Sequence, residues 1–244
     1  MASADLRVNR LLSLMPAEEL ARITPDLLIV DRPDHDVVYE RGAEIEFAYF
    51  PLTGVVSLIA TDAEGRGLEM ASVGREGLVG LTGALLGGAM IGEVIQQISG
   101  QLVRIPIGVL RAEIERRQVL SAVIERYTVA LLSQIGQGVV CNRHHPVEAR
   151  AARWLLAAHD RVVRDDFVLT QDFLAIMLGV TRPQVSTAAA GLRRAGLITY
   201  SRGHVRILDR AGLEASTCEC YRIIEAEFSR LLGNGNGTSW AVGG

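Results

Sequence analysis

The hydrophobic period of the chain switches from strand-like to helical near Pro106, and that change limits the folds open to it. From about residue 36 to 107, β-branched and aromatic residues are punctuated by Gly, Pro and Asp turn signals at roughly 8–12-residue spacing, which predicts an all-β sandwich or barrel. The stretch VIQQISGQLVRIPI (94–107) adds two strands around Gly100. Residues 6–30 predict short helical pieces carrying Leu11, Leu12, Leu14, Leu20 and Ile23. Beyond Pro106, Leu120, Ile124, Tyr127, Leu131, Gln134 and Gly138 recur at spacings of 4, 3, 4, 3 and 4, a seam of nearly three heptads on a helix over about 112–141. The seam favours a dimer-forming helix over one packed on its own β domain. Gly136 and Gly138 each weaken that helix by about 1 kcal/mol relative to Ala.

At 244 residues, 49% of them hydrophobic, the chain suits two domains with real cores. No apolar run reaches membrane-spanning length, and MASADLRVNRLLSLMPAEEL has no basic start followed by an apolar stretch. A cytoplasmic protein is expected. Three cysteines do not make a disulfide framework. The net charge of −3 hides an asymmetry: residues 146–210 hold 10 Arg against 6 acidic groups, whereas residues 1–145 hold 13 Arg against 18. A basic module in an acidic chain points to a polyanion partner.

That module contains TRPQVSTAAAGLRRAGLI (181–198). Thr170 caps a first helix with Leu174, Met177 and Leu178 on one face, and Gly179 supplies the left-handed residue that ends it. Val180 is a buried spacer. Thr181 and Gln184 form a capping box, and Pro183 sits in the first turn, where a missing N–H costs nothing. Val185, Ala188, Ala189 and Leu192 make the inward stripe of the second helix. Its other side carries Arg182, Pro183, Ser186, Thr187, Ala190 and Arg194, small and polar enough to enter a DNA major groove. Ile198 and Tyr200, then Val205 and Ile207, predict a β-hairpin wing with Arg202, His204 and Arg206 beside it. The expected partner is double-stranded DNA. Arg182, Ser186 and Thr187 face bases, and Gln184, Arg194, Arg202 and Arg206 touch phosphate or sugar.

This order of parts, with LTQDFLAIMLGVTRPQVSTAAAGLRRAGLITYSRGHVRIL as its best-matching stretch, resembles the Crp–Fnr family of bacterial transcription regulators over roughly residues 10–232. The resemblance implies an α+β fold. Residues 1–110 would be a cyclic-nucleotide-binding-like, jelly-roll-like β-roll sensor domain, and 111–145 a dimerisation helix and hinge, with Asn142 and Pro146 flanking two His. Residues 146–232 would be a winged helix-turn-helix domain and 233–244 a disordered tail. It further implies a homodimer on a pseudo-palindromic operator, with RNA polymerase and an unidentified small-molecule effector as further partners. The family's recognition helix begins with Arg-Glu and has a second Arg four residues after the Glu. Arg182 matches, but Pro183 and Thr187 replace the others, so base preference is expected to differ. Members that bind cyclic nucleotides use a Gly-Glu pair and an Arg-Ser pair. Here Gly80 is followed by Leu81, Ile91-Gly92 stand near the expected Arg, and no Arg occurs from 76 to 103. A buried phosphodiester would lack a cation, and no tight binding of cyclic AMP is expected.

Other constellations are weaker. Cys141, His144 and His145, or Cys218 and Cys220, would suit a metal- or redox-responsive regulator, but the two groups lie far apart and match no common zinc spacing. Neither a metal site nor a cofactor is therefore assigned. The N-terminal cysteine cluster of the family's iron–sulfur members is absent from residues 1–140. An enzyme is not expected. Residues 30–110 hold only His35, too few ligands for a cupin metal site, and Gly-x-Ser-x-Gly and Gly-Lys phosphate motifs do not occur. Arg75-Glu76-Gly77 reads as a turn between strands.

Overall fold

The computed structural model describes residues 5–162 and 164–233; most of the expected tail, 234–244, lies outside the described residues. Two short helices, α1 (Arg10–Ser13) and α2 (Ala17–Ile23), open the chain. They are anchored by buried Asn9, whose Oδ1 accepts from the Leu11 and Leu12 amides and whose Nδ2 donates to the Pro51 and Gly77 carbonyls at 3.0 and 2.9 Å. The helical segment expected over 6–30 ends earlier, because residues from Leu28 onward are already paired in a strand.

The strands are β1 (Leu28–Arg32), β2 (Asp36–Tyr39), β3 (Phe47–Pro51), β4 (Val55–Thr61), β5 (Gly67–Val73), β6 (Glu93–Ile98) and β7 (Gly100–Pro106), with α3 (Leu81–Leu86) between β5 and β6. They form two antiparallel sheets, β1-β7-β3 and β2-β6-β4-β5. Val38, Tyr49, Val56, Val73, Val94 and Leu102 share a core drawn from both sheets. This is the expected β-roll. Gly100 turns the chain from β6 into β7 where a Cβ would strike the Thr53 carbonyl, and the two strands flanking it fall as the sequence implies.

After β7 come α4 (Ile107–Glu115) and α5 (Val119–His144). The single helix expected over about 112–141 is thus broken. Arg117 takes φ +54°, and the Glu19 carboxylate accepts from the Val119 and Leu120 amides at 3.1 and 2.9 Å, satisfying donors that open α5. The side of α5 that the seam identified is also corrected. Leu120, Ile124, Tyr127, Leu131 and Gln134 are buried within the chain, against Leu11, Phe50, Leu78, Val103 and Ile105. Tyr127 donates to the Leu78 carbonyl at 3.0 Å, and Gln134 to that of Ser72 at 3.0 Å. The heptad stripe therefore closes this chain's own core.

The rest comprises α6 (Val147–Val162), β8 (Asp166–Val168), α7 (Gln171–Leu178), α8 (Arg182–Arg194), β9 (Ile198–Ser201), β10 (His204–Ile207), α9 (Arg210–Ser216) and α10 (Cys220–Leu232). Strands β8, β10 and β9 form an antiparallel sheet in that order, so the wing has a third strand that the hairpin pattern does not reveal. Helix α10 returns to α5 and puts Phe228 and Leu232 into the core that holds Tyr127.

Candidate nucleic-acid interface

The two-helix unit is built from local signals. Thr170 Oγ1 accepts from the Phe173 amide at 3.3 Å and opens α7. Gly179, at φ +60°, ends it in the left-handed region that L side chains avoid. Gln184 Oε1 accepts from the Thr181 amide at 2.9 Å and from its hydroxyl at 3.0 Å, fixing the start of α8. Val185, Ala188, Ala189 and Leu192 are all buried against α6, α7 and the wing, as their 3.6-residue period requires. Val180 is half-buried rather than fully enclosed.

The opposite face of α8 is open. Arg182, Pro183, Gln184, Ser186, Thr187 and Arg194 are exposed, and so are Arg202, His204 and Arg206 of the wing. Arg182 makes only an exposed contact with Asp172 at 3.5 Å, which a nucleic acid can displace. Thr187 donates to the Pro183 carbonyl at 3.0 Å, leaving its methyl group and lone pairs outward. Gln184 uses its oxygen in the cap and keeps its amide N–H groups free to donate. Arg193, which the sequence reading passed over, is exposed at the end of α8. With Arg194, Thr199 and Ser201 it lines a concavity between α8 and the wing. The Arg202-Gly203 turn, at φ +50° and +78°, gives the tight hairpin that carries Arg202 to the tip.

This unit is docked on the β-roll. Phe173 of α7 stacks on His35 with ring centroids 3.8 Å apart, and Leu68 of β5 abuts Gly179. Beneath them Arg161 and Glu76, both nearly fully buried, pair at 2.7 Å; Arg161 also donates to Ser72 Oγ at 3.0 Å. Burial pushes the Glu76 carboxyl up, but the Arg161 guanidinium outweighs it and holds the group below the usual carboxylate range. Glu69 accepts from Ser57 Oγ at 2.6 Å and Trp154 Nε1 at 3.0 Å; there burial dominates and its carboxyl titrates above the ordinary value. Arg75-Glu76-Gly77 is a turn, closed by the Gly77 amide on the Gly74 carbonyl at 3.0 Å, but it leads from β5 toward α3 rather than between two strands.

In the roll, Gly80, Leu81, Ile91 and Gly92 all line one cavity of about 280 Å³. Its other walls are Leu58, Met70, Leu78, Val94 and, from α5, Thr128, Leu131, Leu132 and Ile135. The charged residue in the lining is Glu93, which would repel a phosphate. Cys141 and His145 meet Cys218 and Cys220 at the far end of α5, whereas His144 stands apart and exposed. The hinge expected over 142–146 is shorter, because α5 continues through His144 and Asn142 accepts from Arg150 at 2.8 Å.

No helix among the described residues is long and apolar enough to cross a membrane. Residues 149–216 match the Crp-like helix-turn-helix domain family. The fold is shared with FixK2 from Bradyrhizobium japonicum (TM-score 0.64, 18% identity, 79% of this chain and 98% of that one). It is shared with a CRP-family transcriptional regulator from Thermus thermophilus (0.62, 23%, 77% and 95%). It also matches CLP from Xanthomonas campestris, described as a c-di-GMP-responsive global regulator (0.61, 17%, 79% and 99%). Comparison with curated protein sequences finds no match. Residues 149–216 thus match the Crp-like helix-turn-helix domain family, and the chain as a whole shares the fold of these solved structures.

Proposed function

We propose that this protein is a homodimeric, sequence-specific DNA-binding transcription regulator. The observation that carries the reading is the division of α8, with one face sealed into the domain core and the other bare, small-chained and Arg-tipped. Arg182, Ser186 and Thr187 read base edges; Gln184, Arg194, Arg202 and Arg206, joined by Arg193, hold phosphate and sugar. Pro183 cannot accept a hydrogen bond from a base, so the half-site differs from one read by a glutamate at that position.

A face of α5 other than the heptad seam supports the dimer. Val129, Leu132, Val139 and Val140 are exposed, Leu132 at 62% and Val139 at 67%, and Gly136 lies between them with open space over its Cα. Residues 129, 132, 136 and 139 recur at helical spacing, so they form a second apolar stripe that one chain leaves uncovered. Two copies paired there set two α8 helices about 34 Å apart, one DNA turn.

The cavity beside that stripe is the effector position, and its apolar lining with Glu93 disfavours a cyclic nucleotide. The reading is tested by fluorescence-anisotropy binding to a randomised duplex pool at two salt concentrations, with sequencing of the retained fraction. An enriched pseudo-palindrome with steep salt dependence is expected. Weak, unselected binding by a folded dimer, with and without a cell extract as effector source, would refute it.

A further inference from the structure

Three sulfurs and one imidazole converge where the α5–α6 hinge meets α10. Cys141 lies on the last turn of α5 and His145, four residues on, is the residue that caps its C-terminus. Cys218 arrives from the loop that leads into α10, and Cys220 is the first residue of that helix. The four ligand atoms all lie within 4.8 Å of one another. Cys141 and Cys218 are 3.6 Å apart sulfur to sulfur, and Cys220 Sγ is 3.4 Å from His145 Nδ1. A tetrahedral zinc with bonds of about 2.3 Å to sulfur and 2.0–2.1 Å to nitrogen has edges of roughly 3.8 Å between sulfurs and 3.6 Å between sulfur and nitrogen. Two edges of the cluster are therefore near that size before any metal is placed.

We propose that Cys141, His145, Cys218 and Cys220 form a zinc(II) centre that staples the hinge to the C-terminal helix. Several features separate it from chance packing of cysteines. All three sulfurs are buried, between 0% and 6% exposed. His145 turns Nδ1 toward the sulfurs while its Nε2 lies 3.1 Å from Glu219 Oε1, the carboxylate–histidine arrangement that fixes a metal-bound imidazole's tautomer. Gln137 Nε2 points at Cys220 Sγ from 3.1 Å, a donor suited to a thiolate. Three thiolates, one neutral imidazole and Zn²⁺ leave one net negative charge, and the Arg150 and Arg153 guanidinium groups lie within electrostatic reach of Cys141. Loading releases the protons of the three thiols, and no electron transfer is involved. A disulfide would need the sulfurs at about 2.05 Å and would leave His145 and Cys220 without a role.

The centre is independent of whether the chain reads DNA, and its test uses no DNA. The full chain, produced with zinc and purified without chelator, is expected to hold about one zinc per chain by elemental analysis. After exchange, Co(II) is expected to give the thiolate charge-transfer and visible d–d bands of tetrahedral coordination. His145→Gln, at the exposed edge of the cluster, should abolish those d–d bands while circular dichroism stays native. Glu219→Gln, which touches no metal, should weaken zinc about 10–100-fold. A folded wild-type chain with three titratable thiols and no Co(II) bands would overturn the proposal. So would a Cys141–Cys218 disulfide in freshly prepared protein, or zinc that persists undiminished in Cys218→Ser/Cys220→Ser.

Discussion

Replacing Arg161 by leucine probes the junction that holds the DNA-binding unit on the roll. The guanidinium donates to Glu76 Oε1 at 2.9 and 2.7 Å, to Ser72 Oγ at 3.0 Å, and to the Ser72 and Ala157 carbonyls at 3.3 and 3.2 Å. Without it, buried Glu76 keeps a single protein donor among these contacts, the Gly74 amide at 3.0 Å. Stranding one partner of a buried pair costs about 3–5 kcal/mol, whereas replacing both by apolar groups is close to neutral. Urea unfolding at pH 7 should therefore show Arg161→Leu destabilised by that amount and Glu76→Leu/Arg161→Leu largely recovered. The pH dependence has a definite sign. In the wild type the Glu76 carboxyl is depressed, so its contribution is complete above the unfolded value of about 4.3 and is lost as pH falls through the folded value. In Arg161→Leu the largest cause of the depression is gone while burial, only partly opposed by the Gly74 amide, remains, so the carboxyl rises and protonates sooner. The deficit of the variant should shrink between pH 7 and pH 5. A loss below about 1 kcal/mol, or a double variant as unstable as the single, would refute the assignment of this pair as the junction's electrostatic anchor.

Arg182→Ala should lose about 1–3 kcal/mol on the selected operator and blur one base position, whereas Arg206→Ala should weaken selected and random duplexes alike; competitive anisotropy separates the two. Leu132→Glu puts a charge into the exposed stripe of α5 and should shift sedimentation from dimer to monomer without changing the circular dichroism spectrum. Calorimetric titration with cyclic AMP should show no micromolar binding, given a cavity whose charged wall is Glu93.

The helix-turn-helix was legible because its determinants are local. A cap, a left-handed glycine and a four-residue apolar stripe each declare themselves within a few residues of the backbone they control. The heptad seam of α5 declared only that a stripe is buried, not what buries it. Leu120, Ile124 and Tyr127 satisfy that rule equally well against Phe50 and Ile105 of the same chain. The break before Val119 depends on Glu19, a hundred residues away, and no window of the helix itself contains it. The two cysteine groups stood out in the sequence, but their convergence did not, for the same reason. Cys141 and Cys218 are 77 residues apart and meet because α10 folds back along α5.

Charge asymmetry over residues 146–210 does not by itself say which arginines would face a nucleic acid, and the difference can be measured. Of the ten Arg in 146–210, Arg150 and Arg161 are buried in the junction, and Arg210 is paired with Asp160 at 2.7 Å and Glu214 at 3.0 Å. Arg193, Arg194, Arg202 and Arg206 are exposed on α8 and the wing, and under the proposed function they are the phosphate contacts while Arg182 reads a base. Each phosphate contact contributes about −0.9 to the slope of log K against log salt, so four per chain in a dimer predict a slope near −7. All ten Arg of each chain would give roughly −18 on the same rule. Anisotropy titrations on one operator from low to moderate salt distinguish these values. A slope only slightly beyond about −7 would add exposed Arg164 and half-buried Arg153 to the contacts, whereas one near roughly −18 would require the buried arginines to reach DNA, and hence the junction on the roll to open when the protein binds.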